Sequence, residues 1–122
     1  MTRKYGNKPI TIDGHTFPSK KEGYRYLALK DRADRGEISN LRMQVPYELV
    51  PAVYARKTVH LKTKDKEVLK CIQKAVHYVA DFVYTDKDGI EHVEDTKGYR
   101  TKEYILKKKM MLAFLQIDIE EV

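Results

Sequence analysis

The sequence has 122 residues, 42% of them hydrophobic and 34% charged, which suits one domain with a buried core and excludes a disordered chain. We therefore expect residues 1–122 to form a single domain. No apolar run approaches the roughly 20 residues that span a bilayer, and residues 1–9 lack the apolar segment of a signal peptide. The single cysteine, Cys71, excludes an internal disulfide. These observations predict a cytoplasmic protein with no membrane partner.

The charge balance favours a polyanionic partner. Lys and Arg number 24 against 18 Asp and Glu, a formal net charge of +6. Nucleic acid is the commonest partner of a basic domain, although a basic surface also serves solubility alone.

The first predicted elements are a hairpin and a helix. Residues 10–17 alternate around Asp13–Gly14, a strong signal for a two-residue hairpin turn. Residues 18–36 predict a helix that begins at the N-cap Ser19 and ends at Gly36.

The middle of the chain is β-like and then ambiguous. Residues 38–55 alternate apolar and polar side chains, with an interruption at Pro46. Residues 61–76 fit either a helix or a long hairpin that turns near Lys64–Lys66, and we favour the hairpin.

The last third predicts a strand at 76–85, a turn at 86–89 and a returning strand at 90–98. A helix follows at 101–114, and an alternating strand at 115–122 closes the chain. This order predicts an α/β fold, a mixed β-sheet flanked by helices with an N-terminal β-hairpin within residues 1–17.

Each predicted helix has an apolar stripe that we expect to be buried. In the first helix the stripe is Tyr24, Tyr26, Leu27, Leu29 and Ala33. In the second helix it is Ile105, Leu106, Met110, Ala113 and Phe114.

Acidic residues occupy two strands that ought to be apolar. Asp81 lies in the strand 76–85, and Asp95 lies in 90–98 two residues before Lys97. If these strands pair, Asp81 lies near Asp95, and two adjacent carboxylates repel unless a cation lies between them. Mg²⁺ suits such oxygen ligands. Taken alone, the D-x-K spacing favours a lateral salt bridge between Asp95 and Lys97 over a metal site, and Glu94 should point to the opposite face.

Four segments together resemble the PD-(D/E)xK nuclease superfamily, in particular the phage and prophage junction-resolving endonucleases related to Holliday junction resolvases. They are "DGHTFPSKKEGYRYLAL", "GEISNLRMQVPYEL", "YVADFVY" and "VEDTKGYRT", which cover nearly the whole chain in the family's order. The resemblance implies a restriction-endonuclease-like fold. It also implies metal-dependent DNA cleavage inside a host cell.

The resemblance assigns catalytic roles to Glu22, Asp81, Asp95 and Lys97, with Glu22, Asp81 and Asp95 as ligands of Mg²⁺, or alternatively Mn²⁺. Two positions depart from the pattern. Ala80 replaces the nominal proline, and the second acid is Asp95 rather than the commoner Glu. Glu22 also has a local explanation, because Ser19 and Glu22 have the spacing of a capping box.

The implied substrate is DNA, branched like a Holliday junction, and symmetric cutting implies a homodimer. Basic residues near the acids are predicted to grip phosphates: Lys20, Lys21, Arg100, Lys102, Lys107 and Lys108. The same fold would also serve a flap or nicking nuclease, or a nucleic-acid-binding module without catalysis.

Overall fold

The computed structural model describes residues 8–96 and 99–122, which form a mixed α/β structure. The elements in chain order are β1 (Ile10–Ile12), β2 (His15–Phe17), α1 (Lys20–Asp34), β3 (Ile38–Val50), β4 (Val53–His60), β5 (Asp65–Gln73), β6 (Val76–Asp86), β7 (Glu91–Asp95), α2 (Lys102–Leu115) and β8 (Glu120–Glu121). Neither helix is long and apolar enough to cross a membrane in the part of the chain described.

The main sheet has four strands in the order β3-β6-β7-β8. Strand β6 pairs antiparallel with both β3 and β7, and β8 adds a short parallel edge to β7. The hairpins β1–β2 and β4–β5 each form a separate two-stranded sheet. The predicted pairing of the strands at 76–85 and 90–98 is confirmed, but the returning strand is shorter than predicted, because β7 spans Glu91–Asp95 and Thr96 already lies outside it.

The predicted N-terminal hairpin is confirmed and packs on α1. Asp13 and Gly14 have φ values of 52° and 80°, the positive pair that a type I′ turn requires. Gly23 allows the hairpin to pack closely against α1, because a Cβ at this position would lie 2.7 Å from Cγ2 of Ile10.

The preference for a β structure over a helix at 61–76 is confirmed, but the predicted turn near Lys64–Lys66 is wrong, because β5 already begins at Asp65 and its partner strand β4 precedes residue 61. Strands β4 and β5 pair from Val53 to Gln73, and the loop at 61–64 is closed by a 2.9 Å bond from the Leu61 amide to the Lys64 carbonyl. The predicted strand at 115–122 is much shorter than expected. Helix α2 runs to Leu115 and ends at Gln116 with φ of 56°, so only β8 remains extended.

Both helix starts agree with prediction, because Ser19 and Thr101 accept bonds from the third residue after each cap. The buried stripes differ. In α1, Tyr26 and Leu29 are buried, whereas Tyr24 and Leu27 are exposed. In α2, the buried residues are Tyr104 and Met111, and much of the predicted stripe is exposed: Ile105, Leu106 and Phe114. Helix α2 carries apolar residues around most of its circumference, so their spacing did not identify the side that faces the sheet.

Two apolar clusters form the core, one on each face of the sheet. The α1-side cluster consists of Phe17, Tyr26, Leu29, Ile38, Phe82 and Tyr84. The α2-side cluster consists of Leu49, Tyr78, Ala80, Val83, Val93, Tyr104, Met111 and Ile119.

Along the paired strands β3 and β6, the side chains switch from one core cluster to the other at a single row of residues. Met43 pairs with Phe82 and packs with the α1-side cluster, whereas Val45 pairs with Ala80 and packs with the α2-side cluster. Residues two apart on a regular strand share one face, so the alternation is broken between these pairs. Gln44 lies in that gap with φ of 52°, and the register places it opposite Asp81.

Candidate functional site

Asp81 lies at the row where the sheet changes face. Its Oδ2 accepts two 2.9 Å hydrogen bonds from Thr96, one from the backbone amide and one from Oγ1. These bonds fix the chain just after β7 against the middle of β6. Asp81 therefore joins the segment that follows Asp95 to the centre of the sheet.

Glu22 approaches the same row from the first turn of α1. It is 3% exposed, and its Oε1 accepts a 3.0 Å bond from Nε2 of Gln44. The same Nε2 lies 3.5 Å from Oδ1 of Asp81. Ser19 caps the helix through a 3.2 Å bond from the Glu22 backbone amide. The backbone of Glu22 thus belongs to the cap, while its carboxylate reaches the sheet.

Asp95 lies next to this group on β7. Phe82 pairs with Glu94, so the next pair in that register is Asp81 with Asp95. Asp95 is 1% exposed, and its Oδ2 accepts a hydrogen bond from the Tyr78 hydroxyl at 2.5 Å. Burial, followed by the bond to Asp95 and the charges of Asp95 and Asp81, raises the pKa of Tyr78 far above its ordinary value. Tyr78 therefore remains a neutral donor beside the two acids.

Glu94 points to the opposite face, as the alternation predicts. The Arg25 guanidinium donates from Nε at 2.8 Å and from Nη2 at 2.6 Å to its two carboxylate oxygens. The Tyr84 hydroxyl also donates to Glu94. This bond to Glu94 raises the pKa of Arg25, and burial with the same carboxylate raises the pKa of Tyr84 to about 12. Glu94 is thus held in a structural ion pair with α1.

The structure thus brings Glu22, Asp81 and Asp95 to adjacent positions on α1, β6 and β7. Lys97, the fourth predicted site residue, lies outside the described residues. Within residues 8–96 and 99–122, no three His, Cys, Asp or Glu side chains converge as a metal-binding group. The side chains that are hydrogen-bonded around Asp81 carry only carboxylate, hydroxyl and amide groups.

The predicted phosphate-gripping residues differ in their surroundings. Lys20, Lys21 and Lys102 are exposed at the starts of the two helices. The others are paired with acids: Arg100 and Lys108 with Glu121, and Lys107 with Glu103. Glu121 also accepts a hydrogen bond from the Tyr104 hydroxyl, so Arg100 and Lys108 belong to one polar cluster.

Gln44 is a member of this group that the sequence did not indicate. It lies in "RMQVPY", an ordinary alternating strand segment, and its role depends on a positive φ that glycine would have signalled but glutamine does not.

The fold and the site define a mixed α/β protein with a row of carboxylates across adjacent elements. The chain belongs to the family described as "Protein of unknown function (DUF1064)", whose model matches residues 2–120. Comparisons with curated proteins and with solved structures gave no match.

Proposed function

We propose that this protein is a metal-dependent DNA endonuclease with a restriction-endonuclease-like fold of the PD-(D/E)xK kind. The observation that carries the proposal is the placement of Asp81 and Asp95 on paired strands, with Glu22 joined to Asp81 through Gln44. Burying acids is costly unless they are paired or used, and Asp95 and Glu22 are among the few buried charged residues described.

The side chains present fit a hard divalent cation in their chemistry. Mg²⁺ usually takes one or two protein carboxylates and keeps several waters, so Asp81 and Asp95 supply a sufficient set without a third convergent acid. Their mutual repulsion favours a cation between them. When bound, such an ion polarises the scissile phosphate and lowers the pKa of a bound water. Mn²⁺ would occupy the same ligands.

Each neighbouring residue has a definite part in this proposal. Tyr78 orients Asp95, and Thr96 orients Asp81, so both carboxylates are held before substrate arrives. Gln44 positions Glu22 and Asp81 relative to each other. Lys97, two residues after Asp95, would orient the attacking water and stabilise the charge that develops on the phosphate.

Branched DNA is the substrate that we propose, cut symmetrically by a homodimer in the cytoplasm of a host cell. Exposed Lys20, Lys21 and Lys102 lie at the helix starts nearest in sequence to Glu22 and Lys97, where they would contact the phosphate backbone. Arg100, Lys107 and Lys108 would join them by leaving their surface ion pairs.

The proposal is tested with a labelled four-way junction and a matched linear duplex, each incubated with Mg²⁺, with Mn²⁺ or with EDTA. We expect junction cleavage with either ion and none with EDTA. Asp81→Asn, Asp95→Asn and Lys97→Ala should each abolish cleavage and retain binding. For the two aspartates, neutralising the acid also reduces its repulsion of phosphate. Full cleavage by Asp95→Asn would overturn the site, and binding without cleavage by the wild type would indicate a non-catalytic module.

A further inference from the structure

A second feature of the molecule lies apart in sequence from the row of carboxylates formed by Glu22, Asp81 and Asp95. Residues 53–73, which comprise β4, its loop and β5, form a two-stranded ribbon that pairs with no other strand of the described chain. Every strand residue of the ribbon is exposed except Ala55 and Val68, which are half-buried. The eight residues of β4 extend it about 27 Å at roughly 3.4 Å per residue.

The ribbon is joined to the main sheet at both of its ends. Strand β3 leads into β4 through residues 51–52, and β5 returns to β6 through residues 74–75. Nε2 of Gln73 donates to the Pro51 carbonyl at 3.2 Å where the ribbon begins. A two-stranded hairpin alone is only marginally stable in water, so one of this length is suited to be ordered by a partner.

The two faces of the ribbon differ in charge. Successive side chains alternate between faces, and cross-strand partners share a face. One face, which we call the basic face, carries the pairs Ala55 with Lys70, Lys57 with Val68 and Val59 with Lys66. The other face carries Tyr54 with Cys71, Arg56 with Leu69, Thr58 with Glu67 and His60 with Asp65. Both acids of the ribbon therefore lie away from the basic face.

Charge is concentrated in this segment. The ribbon has six basic and two acidic residues, net +4 in a chain whose total is +6. On the basic face each successive pair contributes one lysine and one small aliphatic residue, at intervals of roughly 7 Å along the strands. The loop adds Lys62 and Lys64 at the tip. A row of lysines without acids is complementary to a phosphate backbone.

We propose that the basic face of this ribbon, with Lys57, Lys66 and Lys70, binds duplex DNA along the major groove. The major groove of B-form DNA admits a two-stranded β-ribbon, whereas the deep, narrow major groove of duplex RNA does not. The inference rests on the proposed function only for the choice of DNA as partner. It requires no cleavage, and it adds a DNA contact remote in sequence from Asp95 and the helix starts.

Binding is measured by fluorescence anisotropy in EDTA, with a labelled linear DNA duplex at several salt concentrations. The test variant carries Lys57→Gln, Lys66→Gln and Lys70→Gln. The matched control carries Lys8→Gln, Arg35→Gln and Lys87→Gln, which removes the same three charges from exposed positions outside the ribbon. Circular dichroism establishes that both variants are folded, and a duplex RNA of equal length is the competitor.

We expect the ribbon variant to bind DNA on the order of tenfold more weakly or worse, with a plot of log K against log salt less steep by about 2.7 for three lost phosphate contacts. The control should keep the wild-type slope, and RNA should compete poorly. Equal slopes for the ribbon variant and the wild type would overturn the inference. So would a wild-type dimer that the ribbon substitutions convert to a monomer with unchanged DNA binding. Ribbon-dependent binding by a protein that never cleaves would retain the inference and reject the nuclease.

Discussion

Glu94 and Asp95 are consecutive residues whose carboxylates serve opposite faces of one sheet. Glu94 accepts two bonds from Arg25 on the α1 side, and Asp95 accepts the Tyr78 hydroxyl of the α2-side cluster. Both residues are 1% exposed, so burial alone does not distinguish them. Their positions do: the Arg25 guanidinium holds Glu94 against α1, whereas Asp95 lies next to Asp81 in the register of β6 and β7. Under the proposed function, Glu94 therefore serves stability and Asp95 serves the metal site.

Glu94→Gln should lower stability. The substitution leaves the Arg25 charge without its bidentate partner, and breaking a buried ion pair costs about 3–5 kcal/mol. We expect a loss of about 3 kcal/mol, at the low end of that range, because the Arg25 side chain retains 28% exposure. Urea unfolding measures it.

Asp95→Asn is the matched control for that experiment. It retains an oxygen that accepts from Tyr78, so the midpoint of urea unfolding should stay much closer to that of the wild type while cleavage is lost. Equal destabilisation by the two substitutions would contradict the division between the two acids.

Glu22→Gln tests whether this carboxylate acts beyond helix capping. The glutamine retains an oxygen for the 3.0 Å bond from Gln44, and Ser19 still caps the backbone amide, so the melting temperature should barely change. Loss of the negative charge should weaken Mg²⁺ binding and slow cleavage strongly. Ser19→Ala is the control, with a stability cost of roughly 0.5–2 kcal/mol and little effect on the cleavage rate of folded protein. If Glu22→Gln cleaves at the wild-type rate, Glu22 acts only in capping the helix.

Gln44→Gly tests the residue that joins Glu22 to Asp81. Glycine adopts φ of 52° without strain, so the backbone should be retained, and the stability lost should be limited to about 1–3 kcal/mol for the bond to buried Glu22. Removal of the amide should raise the Mg²⁺ concentration needed for half-maximal cleavage, which a purely structural role would leave unchanged. Gln44→Asn, which also tolerates this backbone conformation, should be less impaired. An unaltered Mg²⁺ requirement in the glycine variant would remove Gln44 from the site.

His92 should make stability depend on pH. Its Nε2 lies 2.7 Å from Asp86 and its Nδ1 lies 2.7 Å from Glu120, and the hydrogen bond to Asp86, followed by that to Glu120, raises the His92 pKa. A raised native pKa stabilises the fold fully below the unfolded value of about 6.5, and this contribution is lost as pH rises through the native pKa. Melting temperature should therefore fall as the pH rises from about 6.5 through the native pKa of His92, and His92→Gln should flatten that fall. A wild-type-like pH profile in His92→Gln would assign the fall to other groups.

Local patterns predicted the elements whose signals are local. The Asp13–Gly14 turn, the caps Ser19 and Thr101 and the strands on either side of residues 86–89 all follow from turn chemistry and period-two alternation. Alternation also placed Glu94 and Asp95 on opposite faces. These features depend on residues close in sequence, which is why a single sequence contains them.

Features set by tertiary packing were not predictable in the same way. The side of α2 that faces the sheet is selected by contact with the core at Tyr104 and Met111, not by a distinct apolar period. Gln44 reaches the site because its backbone is left-handed in the middle of β3, and no pattern in the sequence predicts that conformation. The length of the ribbon follows from pairing between β4 and β5, and its lysines suited a helix equally well in the sequence.

The change of face at Gln44 and Asp81 has a consequence for hydrogen exchange. On one side of this row Phe82 and Tyr84 pack with the α1-side cluster and Val83 packs with the α2-side cluster, whereas on the other side Tyr78 and Ala80 pack with the α2-side cluster alone. Amides in the half of β6 that both clusters cover should therefore be protected more strongly than those in the other half. The carboxylates lie where these two halves meet. A ligand that bridges Asp81 and Asp95 would couple them, and protection of amides in both halves would then rise together.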